Sequence, residues 1–268
     1  MKKRTIKWLC LSVGLLTVFV LWTVLLGAVD VRPVGPNGSA VGFATVNLWF
    51  HGLTGVHMTL YVVTDWLGLV PVAVCVGFAV LGLVQWIKRR RILRVDASVL
   101  ALGGFYMVVI ALYLLFEELA VNYRPILIGG YLEASYPSST TLLTLCVMPT
   151  AAIQLWGRIK SAALRRCVAA VILLFTAFMV IGRLLSGVHW LTDIVGGVLL
   201  SGGLVAGYKA VNLGLSGCLT KGMCRFFVSG RPHGVAPTGR LKVKKHPKSY
   251  CQTKKFVCRG GPMWPPVT

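Results

Sequence analysis

Charged residues are scarce in this sequence of 268 residues, and acidic residues are the scarcest of all. Only 13% of the residues are charged, with 7 Asp and Glu against 28 Lys and Arg, while 56% are hydrophobic. The mean hydropathy of +0.76 excludes an ordinary soluble domain. Apolar stretches that approach or exceed about 18 residues indicate membrane-spanning helices instead.

The sequence also lacks several chemical signatures. It contains no nucleotide-binding motif, no Ser-His-Asp hydrolase elbow and no clear metal-ligand spacing. The 8 Cys predict no disulfide framework, because half of them lie in or beside apolar stretches and behave as small hydrophobic residues. The others lie in a basic C-terminal tail with spacings that match no zinc pattern, although Cys218 or Cys224 could carry a lipid. We therefore expect no metal and no cofactor.

Six apolar stretches predict an all-α, polytopic membrane bundle of about six transmembrane helices. They cover approximately residues 8–29, 62–87, 97–116, 142–157, 167–185 and 193–212. The first stretch follows basic residues as a signal peptide would, but its apolar run is long and no clean cleavage site follows. We expect a retained anchor.

Basic residues alternate between the connectors. They crowd the N-terminus, the connectors 88–94 and 158–166, and the start of the tail, whereas the other three connectors hold only Arg32 and Arg124. Under the positive-inside rule, both termini are cytoplasmic and these three connectors are extracytoplasmic. The net charge of +21 would suggest nucleic acid in a soluble protein, but here membrane orientation explains it and no nucleic-acid partner is expected.

The chain divides into three predicted parts. Residues 1–57 form an anchor helix and an outer interfacial segment, in which His51 and His57 are expected to be interfacial. Residues 58–212 form the transmembrane domain with the polar motifs. Residues 213–268 read as a disordered, basic cytoplasmic tail, which either attracts anionic lipid headgroups or has no function.

A polar cluster stands between the last two apolar stretches. The segment RLLSGVHWLTD places Arg183, His189 and Asp193 at a membrane boundary, where ionisable groups are expensive unless they have a role. His189 and Asp193 are four residues apart and could share one helical face. Interfacial anchoring is the alternative. By contrast, Asp65 and Asp96 lie at span entrances, where we expect helix caps.

The connector 117–141 adds further polar groups on the same predicted face. It contains Arg124-Pro125 and then Pro137-Ser138-Ser139-Thr140 at the start of the fourth span. Two arginine side chains and the N–H groups of a helix N-terminus suit phosphate. A histidine whose second ring nitrogen is held by a carboxylate is the arrangement for a nucleophile kept in one tautomer. The combination predicts phosphoryl transfer.

These three segments, in this order, resemble the phosphatidic acid phosphatase type 2 (PAP2) superfamily of integral-membrane lipid phosphatases, whose soluble relatives include vanadium haloperoxidases. The resemblance covers approximately residues 58–212. It implies that Arg124 and Arg183 bind the phosphoryl oxygens with help from Ser138 and the adjoining Ser139. It further implies that His189 attacks phosphorus to form a phosphohistidine and that Asp193 orients it.

Two positions depart from the family pattern. Glu117 stands where the first motif has Lys, and its carboxylate would repel phosphate unless it pairs with Arg124 or turns away. Thr140 stands where the second motif has the His expected to protonate the leaving group. General acid catalysis is worth about 10²–10⁴-fold, so Thr140 is a weak substitute. A leaving phosphate, whose second pKa is about 6, needs that proton far less than an alkoxide does.

The leading hypothesis is therefore a phosphatase that acts on a lipid phosphate, and preferentially on a prenyl-type lipid diphosphate, at the extracytoplasmic face. Glu117 and Thr140 motivate an alternative, a weak or inert relative that binds lipid phosphates. A transporter is a third possibility, but such proteins carry ionisable groups near the middle of the membrane. A divalent ion on Glu117, Glu118 and Glu133 is unnecessary, because the phosphohistidine route needs no metal.

Overall fold

The computed structural model describes the backbone of residues 2–229 and the side chains of residues 3–92 and 94–215. The first part of the tail predicted at 213–268 is helical and not disordered, because α8 continues through 213–229, while residues 230–268 lie outside the described residues. Within them the chain is helical and forms no strand, as predicted. The helices are α1 (Lys2–Leu26), α2 (Ala44–Thr54), α3 (Met58–Leu67), α4 (Leu69–Arg89), α5 (Ala97–Leu119), α6 (Ser139–Trp156), α7 (Ala162–Leu185) and α8 (Leu191–Ser229), with short 3₁₀ turns at Pro36–Gly38 and Ile92–Arg94.

Six helical stretches in the described residues are long and apolar enough to cross a membrane, which confirms the predicted architecture. They are Lys3–Leu26, Met58–Arg89, Ala97–Leu119, Ser139–Trp156, Ala162–Leu185 and Leu191–Leu215. The second stretch contains both α3 and α4, which meet at Gly68. The interfacial segment expected after α1 includes α2, whose Trp49 and Leu53 are exposed.

Helices α6 and α8 form the centre of the bundle. Half of the most apolar window of each is buried, against at most 22% in the other four spans. The outer helices instead expose large apolar side chains, such as Leu173 and Leu174 on α7, both 69% exposed. Because nothing in a lipid bilayer opposes such exposure, these surfaces are the expected lipid-facing sides of the spans.

Small residues spaced four apart on α8, Gly203 and Gly207, let α1 pack closely on that helix. A Cβ on Gly203 would stand 2.8 Å from the side chain of Leu16, and one on Gly207 would stand 2.9 Å from the Ser12 hydroxyl oxygen. That hydroxyl donates to the Gly203 carbonyl across 2.7 Å. The first span is thus an integral part of the bundle.

Three connectors meet at one end of the bundle, and buried polar side chains join them. Asn47 of α2 is fully buried and binds Thr192 at the start of α8. The Trp190 indole N–H donates to the carbonyl of Tyr123 across 2.8 Å. These contacts bring the segments after α1, α5 and α7 together, and those segments carry the predicted site residues.

Tyr136 anchors the connector between α5 and α6 to the bundle. Its side chain is 1% exposed, and its hydroxyl lies 2.7 Å from the hydroxyl of Thr23 on α1. Gly196 of α8 permits this approach, because a Cβ there would stand 2.4 Å from the Tyr136 ring. The connector is therefore held against both α1 and α8 just before Ser138.

Candidate active site

His189 lies in the turn between α7 and α8, whereas Asp193 lies in the first turn of α8. The prediction that the two share one helical face is therefore wrong, since α8 begins at Leu191. His189 Nδ1 stands 3.9 Å from Asp193 Oδ2, which is an ion-pair distance and too long for a hydrogen bond. Both side chains are almost completely buried, at 1% and 0% exposure.

The backbone and a nearby amide hold the Asp193 carboxylate in place. Its Oδ2 accepts from the Trp190 backbone N–H across 2.9 Å. Its Oδ1 accepts from the Asn122 side-chain amide across 3.3 Å. The carboxylate is thus fixed by the turn that carries His189 and by the segment after α5, and it faces Nδ1 from a defined position.

The other ring nitrogen of His189 faces Arg124. Arg124 Nη1 stands 3.4 Å from His189 Nε2. Because a guanidinium can only donate, the contact requires an unprotonated Nε2 and leaves the proton on Nδ1, toward Asp193. Burial lowers the pKa of His189 to about 4, and the charges of Arg124 and Arg183 act in the same direction, while Asp193 opposes them. The imidazole is therefore neutral near pH 7, with a free electron pair on Nε2.

Arg183 is buried at the end of α7, with a side-chain exposure of 2%. Its Nη2 donates to Asp65 Oδ1 across 2.7 Å and to Thr140 Oγ1 across 2.5 Å. Its Nε and Nη1 are buried and have no hydrogen-bond partner among the described residues. Unpaired buried donors of a charged group are costly, so these nitrogens indicate an anion site.

Arg124 lies opposite, on the connector between α5 and α6. Its Nε stands 2.9 Å from Glu133 Oε2, and its backbone N–H donates to the Glu133 carbonyl across 3.0 Å. The side-chain contact lacks hydrogen-bond geometry, so Nε remains without a hydrogen-bond partner among the described groups. Of the two alternatives for Glu117, the structure shows no pairing with Arg124 among the described contacts: Glu133 takes that place, while Glu117 is exposed and lines the small cavity described below.

The Pro-Ser-Ser-Thr segment forms the start of α6. Ser138 precedes the helix and is fully buried, and its hydroxyl has no hydrogen-bond partner in the described part of the chain. Its backbone N–H donates to the carbonyl of Asp193 across 3.3 Å, which joins the start of α6 to α8. Ser139 lines two adjoining cavities, and Thr140 contacts Arg183.

A small polar cavity of about 200 Å³ lies over His189 and Arg124. Its wall includes Ser139, Glu133 and Glu117. A larger apolar cavity of about 570 Å³ adjoins it and shares Tyr113, Ser139 and Leu142 with it. Most of that second wall comes from apolar residues of α4, α5 and α6, while its polar part includes Asp65, Ser139 and Thr140. The structure thus places a polar chamber beside an apolar one.

Three contributors to the site escaped sequence reasoning. Asp65 is not a cap at a span entrance, because it lies near the end of α3 and pairs with Arg183. Asn122 holds Asp193, and no sequence signal distinguishes it from a loop asparagine. His51 Nε2 lies 3.1 Å from the Gly187 carbonyl, so this interfacial histidine also supports the turn that carries His189. Asp96, by contrast, does precede a helix, α5, as predicted, although its side chain makes no capping bond.

The described residues contain no group of three or more His, Cys, Asp or Glu side chains that could hold a metal ion. Glu117 and Glu133 line the small cavity together with the cationic Arg124, and Glu118 does not line it. Beside these two carboxylates, the cavity wall holds the guanidinium of Arg124 and the neutral imidazole of His189.

The fold and the site define a polytopic all-α membrane protein with buried cationic and polar side chains at one end of its bundle. Residues 101–215 match the family model of the PAP2 superfamily, and this segment contains Arg124, Ser138, Arg183, His189 and Asp193. This match agrees with the resemblance of the three motifs to that superfamily.

One solved structure shows the same fold at low sequence identity. It is the first transmembrane PAP2-type phosphatidylglycerolphosphate phosphatase from Bacillus subtilis, with a TM-score of 0.53 and 16% identity. The similarity covers 76% of this chain and 95% of that chain. No curated protein matches the sequence.

Proposed function

We propose that this protein is an integral-membrane phosphatase that hydrolyses a lipid phosphate, and preferentially a prenyl-type diphosphate, through a phosphohistidine at His189. The observation that carries the proposal is the contact between Arg124 and His189 Nε2. Arg183, whose charge also acts on this imidazole, has two buried nitrogens without a hydrogen-bond partner among the described residues. A phosphoryl group that replaces this contact would bind both arginines and stand directly before the free electron pair of Nε2. That is the geometry that nucleophilic attack on phosphorus needs.

The proposed reaction has two steps. The Nε2–P bond forms while the bond between phosphorus and the leaving oxygen breaks, and the two arginines neutralise charge on the phosphoryl oxygens. The imidazole becomes cationic in this step, and the Asp193 carboxylate at 3.9 Å from Nδ1 stabilises it. Water then attacks phosphorus, the Nε2–P bond breaks, and inorganic phosphate leaves.

The preference for a diphosphate rests on Thr140. Its hydroxyl oxygen accepts a hydrogen bond from Arg183, and a hydroxyl is a poor acid near pH 7. An alkoxide, whose conjugate acid has a pKa near 16, leaves slowly without a proton. When the substrate is a lipid diphosphate, the leaving group is a lipid monophosphate, which leaves with little need for a proton. The adjoining apolar cavity of about 570 Å³ is suited to the first part of the lipid chain.

The orientation belongs to the same proposal. Arg32 and Arg124 are the only Lys or Arg residues in the three connectors at the site end of the bundle, whereas the other connectors are rich in Lys and Arg. The positive-inside rule therefore favours an extracytoplasmic site and cytoplasmic termini. The lipid bilayer and a phosphorylated lipid are the proposed partners, and anionic headgroups are proposed for the basic tail.

The decisive experiment offers the purified protein in detergent three labelled substrates: a prenyl diphosphate, a prenyl monophosphate and phosphatidate. We expect phosphate release in that order of rate, and an acid-labile phosphoryl label on the wild-type protein. His189→Ala should abolish both. His57→Ala is the matched control, because this exposed histidine lies at the same end of the bundle and its described hydrogen bonds are made by its backbone alone.

One specific observation favours a second function, the binding of lipid phosphates without hydrolysis. Both arginines are already paired with carboxylates, Arg124 with Glu133 and Arg183 with Asp65. A protein that only binds lipid phosphates would show saturable binding of the three substrates without release of phosphate or label on His189. Equal and rapid release from phosphatidate would instead overturn the diphosphate preference alone.

A further inference from the structure

Asp65 is a carboxylate of the second span that touches the buried arginine of the fifth. The Asp65 side chain is 58% exposed, whereas the Arg183 side chain is 2% exposed. The ion pair therefore links an exposed carboxylate to a buried guanidinium. The two residues are 118 positions apart, and Asp65 precedes the segment 101–215 that matches the PAP2 superfamily. The contact is therefore a feature of this chain that its superfamily motifs do not include.

Asp65 and Thr140 together occupy one nitrogen of the guanidinium. Nη2 has two hydrogens, and it donates to Asp65 Oδ1 at 2.7 Å and to Thr140 Oγ1 at 2.5 Å. The three remaining N–H donors are on Nε and Nη1, and both nitrogens are buried without a hydrogen-bond partner among the described residues. With Nη2 held on one side, the planar guanidinium can offer only its other edges to a ligand.

Helix α3 can hold Arg183 because it approaches α7 very closely. A Cβ on Gly182 would stand 2.7 Å from the Thr64 methyl group, and Thr64 itself is fully buried. The centre of the guanidinium also lies 5.0 Å from the ring centroid of Tyr61, within the range of a cation–π contact. Tyr61 and Asp65 are four residues apart on α3 and so face the same side of that helix.

We propose that Asp65 and Thr140 are positioning residues, which hold the Arg183 guanidinium so that Nε and Nη1 face the phosphoryl group. The inference rests on the proposed function and names the residues that prepare its phosphate site. It also gives Thr140 a role at the position where the superfamily has an acid, since its hydroxyl oxygen is committed to Arg183. An arginine fixed before the substrate arrives loses little rotamer freedom when the phosphate binds.

A double-mutant cycle with Arg183 tests this role. In the wild-type background, Asp65→Ala should lower kcat/KM for the prenyl diphosphate by about 10–100-fold, as losses of outer supporting partners do elsewhere. Arg183→Ala alone should lower it by about 10²–10³-fold, which labelled substrate still measures. In the Arg183→Ala background, Asp65→Ala should change the rate less than about twofold, since its effect passes through Arg183.

The thermal stabilisation of the protein by inorganic phosphate supplies a readout that needs no hydrolysis. We expect phosphate to raise the Tm of the wild type and to raise that of Asp65→Ala less. Asp65→Asn keeps an acceptor oxygen and should lose less than Asp65→Ala, which also covers the case in which the alanine variant fails to fold. For the second partner, Thr140→Val should weaken phosphate binding, and Thr140→Ser should restore it.

Asp96→Ala is the matched control. Asp96 forms an ion pair with Arg89 at 2.9 Å, a length close to that of the Asp65 pair, but outside the site. It should change neither kcat/KM nor the phosphate response. The proposal is overturned if Asp65→Ala leaves kcat/KM unchanged, or if it lowers the rate by the same factor in both backgrounds. Absence of hydrolysis in the wild type overturns the proposed function instead, and the phosphate response of the variants then decides the positioning role by itself.

Discussion

Arg124 Nη1 points at Nε2 of His189 across 3.4 Å, from a residue 65 positions earlier in the chain. This contact assigns the ring proton to Nδ1 and leaves an electron pair on Nε2. It also places a fixed positive charge where a phosphoryl oxygen would develop charge during attack by that nitrogen. The pair thus combines the proposed nucleophile and one of the proposed phosphate ligands in a single contact.

Replacement of Arg124 should therefore be costly even when the charge is kept. We expect Arg124→Lys to lower kcat for the prenyl diphosphate by about 10²–10³-fold, because an ammonium cannot contact the phosphoryl group from several nitrogens in one plane. Initial rates of phosphate release measure the effect. Arg32→Lys, which changes an exposed arginine paired with Asp30, is the control and should retain full activity. Equal rates for Arg124→Lys and the wild type would contradict the phosphate role.

The pH profile should show a low acid limit. His189 must be neutral to attack, and its pKa in the free protein is lowered to about 4, chiefly by burial. We therefore expect kcat/KM to rise as the pH increases through about 4 and to show no further His189 limb near its ordinary pKa of about 6.5. Titration of the rate from pH 3 to 8 in one detergent measures this. Because the substrate phosphate also titrates near pH 6, the deciding measurement is an NMR titration of His189 in the ligand-free protein, and a pKa near 6.5 there would contradict the buried, neutral imidazole.

The same shift has a consequence for stability. Because the folded protein binds the His189 proton less readily than the unfolded chain, unfolding takes up a proton at intermediate pH. Stability from this group is fully present above about pH 6.5 and declines as the pH falls toward about 4. We expect the Tm of His189→Gln, which removes the titrating group, to depend less on pH across that window than the Tm of the wild type.

Restoration of the superfamily histidine tests the leaving-group argument. Thr140→His should accelerate hydrolysis of phosphatidate by up to about 10²–10⁴-fold, since an alkoxide needs the added acid. It should change hydrolysis of the prenyl diphosphate much less or lower it, because Arg183 loses the Thr140 hydroxyl oxygen. The ratio of kcat/KM for the two substrates is the measurement. The same ratio in Thr140→His and in the wild type would contradict the inference that Thr140 sets the substrate preference.

Gly187 should be intolerant of any side chain. It has a φ of +69°, and a Cβ there would stand 2.1 Å from the Gly55 carbonyl oxygen. Gly187→Ala should displace the turn before His189 and lower both kcat and Tm. Gly38→Ala is the matched control, because Gly38 has a similar φ of +73° with nothing within 4 Å of its Cβ position. The control should lose only the backbone strain, about 1–2 kcal/mol.

Membrane orientation can be measured directly. Cysteines introduced at Gly130, in the site connector, and at Arg91, in a basic connector, should react oppositely with an impermeant thiol reagent on intact cells. We expect labelling above that of the parent protein at position 130 and none at position 91, because the positive-inside rule places them on opposite faces. The reverse pattern would place the site in the cytoplasm.

Local patterns were sufficient for the helices and the motifs. Runs of apolar residues predicted six spans, because a helix in lipid satisfies its own backbone whatever its neighbours are. The order of Arg124, Ser138, Arg183, His189 and Asp193 predicted an anion site, since each type of side chain has a known preference for phosphate chemistry. The alternation of Lys and Arg between connectors predicted that these residues lie at the same face of the membrane.

Contacts between distant segments were beyond such patterns. Asp65 precedes Arg183 by 118 positions, and only the close approach of α3 to α7 brings them together. The pairing of Arg124 with Glu133 instead of Glu117 depends on the path of a connector that has no regular period. The turn that separates His189 from α8 likewise depends on Gly187 against Gly55, a contact between two glycines that no local rule relates.

Hydropathy and residue chemistry are local properties, so the amino-acid order was enough to predict a helical membrane protein and the residues that resemble the PAP2 motifs. Which nitrogen atoms stay available to a ligand depends on packing between distant segments. The Arg183 nitrogens Nε and Nη1 are the ones left to bind a ligand because Asp65 and Thr140 occupy Nη2. His189 keeps an electron pair on Nε2 because the Arg124 donor faces that nitrogen. Whether a donor or an electron pair is available depends on all the groups around that atom, and tertiary packing determines which groups those are.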